Sequence, residues 1–131
     1  MSAAANSIRA QFQPDVDEFI DDLTTFASGS YLSEDDKDLW EEPFDPSVLP
    51  ELRGFLEQFL DGLDALGDDP EADALVGAVA PFYQRLESFN EKHAYAVLEP
   101  EEKADIETLV FRASAATGAT DEALQALPEF E

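Results

Sequence analysis

Apolar residues recur at three- and four-residue spacings along most of the chain, the pattern of amphipathic helices. After Pro14, Val16, Phe19, Ile20, Leu23 and Phe26 share one face while Asp17, Glu18, Asp21 and Asp22 fall elsewhere. That predicts a helix over 15–27, broken by Ser28, Gly29 and Ser30. Ser33 has the character of an N-cap for a short helix reaching about Trp40, after which Pro43, Pro46 and Pro50 interrupt regular structure. From Ser47 as a cap, Leu49, Leu52, Phe55, Leu56, Phe59, Leu60, Leu63 and Leu66 trace one stripe over about five turns, and Gly67 stops it.

Asp69 and Pro70 read as a cap and first helical position for a third long helix. No charge occurs from Ala74 to Gln84, which predicts a central place in a bundle, and Pro81 should kink or split this element. Residues 94–98 form a connection. Pro100, Glu101 and Glu102 open another helix with Ile106, Leu109, Val110 and Ala113 on its apolar side, ending near Gly118. Thr120 caps a last short helix that Pro128 ends. No segment alternates with the period of a strand.

The expected fold is an all-α, single-domain bundle of four to five helices. It has short capping helices and a Pro-rich acidic connection between the first and second long helices. Residues 1–14 are expected to be a flexible N-terminal segment, 15–127 the bundle domain, and 128–131 a C-terminal tail.

Charge changes the picture most. Thirty-one Asp and Glu against seven Lys and Arg give a formal net charge of -24 in 131 residues. With 44% hydrophobic residues and ten Phe, the chain has the apolar content to fold despite self-repulsion. The same charge should repel nucleic-acid phosphates and anionic lipid, so direct nucleic-acid binding and membrane association are not expected. No apolar run is long enough to span a bilayer. The absence of cysteine and the lack of a leader-like start are compatible with a cytoplasmic protein.

Catalytic chemistry is thinly supplied. A lone histidine, His93, suits a helix C-terminus better than a triad or an imidazole zinc site. No Glu-x-x-His pair, calcium-loop spacing or phosphate loop occurs. Asp68, Asp69, Glu71 and Asp73 form the densest acidic cluster, which capping the following helix accounts for. No enzyme activity, cofactor or metal is expected. Pro81, Phe82, Tyr83 and Tyr95 mark a place where a kinked helix could open a ligand pocket, although core packing explains them more simply.

The most acidic stretch also carries aromatics. Tyr31, Trp40 and Phe44 are interleaved with Asp35, Asp36, Asp38, Glu41 and Glu42. Rings that anchor and charges that steer are what a surface for a basic protein partner would use. Alternatively, Trp40 and Phe44 cover the core while the acids face solvent. The leading expectation is an acidic interaction module with an inhibitor, immunity-type, adaptor or nucleic-acid-mimic role. Two alternatives stand beside it. One is adaptation to a salty cytosol, in which acids spread over all faces, a reading that fits three Lys beside fifteen Asp. The other is a small-molecule-binding bundle.

Overall fold

The computed structural model describes residues 7–29, 32, 33 and 44–130. Among them are five α-helices and no strand: α1 Ile8–Ser28, α2 Leu49–Leu66, α3 Ala72–Lys92, α4 Pro100–Ala116 and α5 Asp121–Gln125. The first four run up, down, up and down as one single-domain bundle, with α2 against α1 and α3, and α4 returning to α1. The antiparallel sense is fixed by side chains that meet from opposite ends. Arg9 at the start of α1 reaches Asp61 near the end of α2, and Lys92 at the end of α3 reaches Glu51 at the start of α2. Lys103 early in α4 likewise reaches Glu87 late in α3.

The first helix starts seven residues earlier than its hydrophobic pattern predicts, and residues 7–14 are not a loose segment. Ser7 caps it by accepting from the Ala10 amide, and Asp64 of α2 accepts from the Ile8 and Arg9 amides at 2.7 and 3.1 Å. A carboxylate there satisfies orphan donors and meets the positive end of the helix dipole. Pro14 sits inside this helix and cannot donate to the Ala10 carbonyl; burial of Ile8 and Phe12 in the core offsets that loss. Gly29, at φ 68°, closes the helix in the left-handed conformation.

The long apolar stripe of α2 faces inward, with only Phe55 and Leu66 partly exposed at its margins. Leu52, Leu56, Leu60 and Leu63 have no exposed surface. Its lead-in differs in detail, since Asp45 accepts from the Ser47 amide and a 3-10 turn, Pro46–Val48, feeds into the helix. Gly54 and Gly62 allow no close approach of a neighbour, because a Cβ at either would meet open space.

The helix α3 is a corner rather than a central element. Leu75, Val79, Phe82, Leu86 and Phe89 face inward, while Gly77, Pro81 and Gln84 form an exposed strip that is uncharged rather than buried. Four helices packed around one core leave none enclosed on all sides. Pro81 does not split it, and the Gly77 carbonyl it leaves without a donor lies on that exposed strip, open to water. Its start is also later than Asp69-Pro70 suggests. Asp69 takes φ 51° and its amide donates to the Thr117 carbonyl at 2.8 Å, tying the loop to the end of α4 before the helix begins at Ala72.

The turn from α3 to α4 holds Ala94 and Tyr95 at φ 59° and 60°. Such backbone costs about 1–2 kcal/mol per residue for a side chain bearing Cβ. The buried Asn90 imposes it: its amide donates to the Leu98 carbonyl and accepts from the Leu98 amide, both at 2.9 Å. The Asn90 carbonyl also accepts from the Tyr95 amide at 2.7 Å. A capping box between Glu99 and Glu102 then starts α4, and Thr120 caps α5.

Phe130, beyond the last helix, is also part of the core. It is buried and stacks on Tyr83 with ring centroids 4.7 Å apart, and the Lys103 ammonium lies 5.2 Å from the centre of the Phe130 ring. Pro128 ends the helix but not the packing, because an apolar ring so placed covers the α3 and α4 edge. The short helix expected from Ser33 to Trp40 lies almost wholly outside the described residues.

If residues 8–14 belong to the bundle, Phe12→Ala should lower unfolding free energy by about 3 kcal/mol in urea denaturation. A loss within experimental error of zero would return this segment to the status of a loose arm.

Candidate functional site

Most of the sequence-derived partner surface, Tyr31, Asp35, Asp36, Asp38, Trp40, Glu41 and Glu42, lies outside the described residues. Phe44 is described, and its ring is 8% exposed, 6.5 Å from that of Phe26. It is therefore seated in the core rather than presented as an exposed anchor. The residue follows two charged positions and a proline, a context that does not distinguish a ring facing a partner from one facing the bundle.

The described carboxylates are distributed over all five helices rather than on one face. The cations are placed far more selectively. Arg9 of α1 reaches Glu57 and Asp61 of α2, at 3.4 and 2.8 Å, and Arg53 of α2 reaches back to Asp17 of α1. Lys92 joins α3 to Glu51 of α2 at 3.1 Å, and Lys103 joins α4 to Glu87 of α3 at 2.9 Å. Arg112 joins α4 to Asp15 of α1 at 3.7 Å and lies over the Phe12 ring. Each seam of the four-helix ring thus carries at least one cation. Gln13 supplements the first by donating to Asp17 and Glu57. Those donations, with Arg53, hold the Asp17 carboxyl below its ordinary range, Gln13 contributing most.

Between α1 and α4 runs a cleft of about 250 Å³. Phe19, Leu56, Ile106 and Leu109 form its floor. Asp15, Glu18 and Asp22, spaced three and four apart, form the rim on α1; Asp105, Thr108 and Arg112 form the rim on α4. Glu18, Asp22 and Asp105 make no ion pair or hydrogen bond with any described residue, so their oxygens stay open to a partner. Near the Asp105 end, Glu102 is partly withdrawn from water, and its pKa is raised mainly by that burial and further by Glu99, Glu101 and Asp105. Spacing within α1 puts Asp15, Glu18 and Asp22 on one row, but only the tertiary register sets Asp105 of α4 opposite it.

The surroundings of Pro81 hold a different feature. Phe82 is fully buried and stacks on Phe59 at 4.4 Å, so it lines no pocket. An open groove of about 400 Å³ lies beside Pro81 between α2 and α3, lined by Glu51, Phe55, Arg85, Phe89 and Lys92 among others. Tyr95 is exposed on the turn after α3. His93 stands at the C-cap of α3, its ring edge-on to Phe89 at 4.7 Å. Among the described residues no group of three His, Asp or Glu side chains converges as a metal site would require, the cluster at 68–73 included. No described helix is long and apolar enough to cross a membrane.

Searches of protein families, curated proteins and solved structures return no match to this chain.

Burial against Phe130, with the Glu107 carboxylate nearby, raises the Tyr83 phenol above the usual tyrosine range. A raised folded-state pKa means that its contribution to stability is intact below the ordinary phenol pKa of about 10 and fades as pH climbs past it. In an ultraviolet absorbance titration, Tyr83→Phe should remove a phenol that ionises late. A late step that persists unchanged in the variant would contradict this placement.

Proposed function

We propose that this chain is an acidic helical interaction module, acting in the cytoplasm, that binds a basic protein and performs no catalysis of its own. The single observation carrying the reading is the cleft between α1 and α4, where an apolar floor lies between Glu18 and Asp22 on one side and Asp105 on the other, three carboxylates that no described cation pairs, while Asp15 at one end is held by Arg112. Apolar area supplies affinity once water is expelled, while surrounding negative charge accelerates encounter with a positive surface and disfavours anionic partners. Five described cations are already engaged at the seams, so little positive charge is left to offset the field of the surface. An inhibitor, an adaptor or a nucleic-acid mimic would each use such a face. Direct binding of nucleic acid or of anionic lipid runs against the same field.

A second reading has an observation of its own. Carboxylates on every helix are what solvation in concentrated salt would select, since a Debye length of about 3 Å at 1 M relieves their repulsion. The two readings differ in what salt does. Affinity capture from native lysate should recover a basic protein at about 0.05 M salt, and its association rate should fall as salt approaches about 0.5 M. Recovery of no basic protein, together with folding that requires molar salt, would reject the interaction reading in favour of the second.

A further inference from the structure

We propose that the cleft between α1 and α4 receives an amphipathic helix from the basic partner. This inference rests on the interaction reading above and names the shape and chemistry of what that face takes. The cleft volume of about 250 Å³ is below the 300–1,000 Å³ usual for small-molecule pockets, so it suits a few inserted side chains better than an enclosed ligand. Its length points the same way. Asp15 to Asp22 covers about 10 Å of α1, and Phe26, two turns beyond Phe19 on the same side, extends the row to about 16 Å. Phe26 is 40% exposed, a large ring left partly uncovered one turn beyond Asp22, 6.5 Å from the ring of Phe44. The opposite end is closed by the Arg112 and Asp15 pair.

An occupant about three turns long fits that strip if its apolar residues follow helical spacing onto Phe19, Ile106, Leu109 and Phe26. Lysine or arginine on one side would meet Glu18 and Asp22, and on the other Asp105. Charge complementarity selects this class over a second copy of the chain, which would bring its own net charge of -24 against the same rims.

The test uses two synthetic probes of equal positive charge: an amphipathic leucine-lysine helical peptide and an oligolysine. Calorimetric titration of the full chain should give an affinity for the leucine-lysine peptide at least about tenfold above that for oligolysine. Thr108→Trp, a substitution of an exposed side chain that plugs the cleft, should reduce that preference about tenfold, and so should the charge reversal Asp22→Lys with Asp105→Lys. Amide shifts in the unaltered protein should centre on Phe19, Asp22, Asp105 and Leu109. Equal affinity for the two probes, or a preference untouched by both variants with shifts centred elsewhere, overturns the cleft while leaving an anionic docking surface in place. Failure of both probes to bind at low salt overturns the interaction reading itself.

Discussion

The structure depends on closing four acidic helices around an apolar core while their carboxylates repel one another. Burial does most of that. The inward rows of α1, α2, α3 and α4 meet in one continuous cluster from Ile8 to Phe130, and apolar surface removed from water contributes about 25 cal/mol per Å². The scarce cations act where repulsion between neighbours is most direct, one or more at each seam. Such partly exposed pairs are each worth no more than about 1 kcal/mol, so their value lies in placement rather than strength. They set which helix edges stay close and which open: α1 and α4 are pinned by Arg112 at one end and separate into a cleft along the rest.

Helix ends are organised by the same surplus of acid. Asp64 accepts from the first amides of α1, and Glu99 with Glu102 closes the start of α4. Carboxylates at helix N-termini meet favourable partial charge, so these three are stabilising without any cation. The turn between α3 and α4 is held instead by a neutral side chain, Asn90, whose amide pairs with both backbone groups of Leu98 inside the protein.

Much of this was legible along the chain because helices are local. The stripe of α2, the glycine stops at Gly29 and Gly67, and the Thr120 cap follow from spacing and backbone preference alone. What was not legible depends on distant partners. Pro14 reads as a boundary until Asp64, fifty residues on, is seen to cap the helix that contains it. Pro128 reads as an end until Phe130 is seen against Tyr83. The uncharged run of α3 suggested enclosure, yet small residues such as Gly77 expose little apolar surface, so an outward strip without charge is tolerated. The three acids that α1 gives the cleft lie on a regular row, but that Asp105 of α4 faces them is set by packing and not by either sequence segment. Phe44 shows the limit for single aromatics, since a ring among acids in the sequence faces the core in the fold.

The central claim is that apolar packing holds this bundle against its own charge, with the seam ion pairs secondary. Urea, being uncharged, unfolds the chain without screening it. Unfolding free energy measured in urea at increasing sodium chloride should therefore rise from low salt upward, because screening relieves carboxylate repulsion more than it weakens the few ion pairs. A steady fall in stability over the same range would contradict the account and assign the closure of the bundle to its salt bridges.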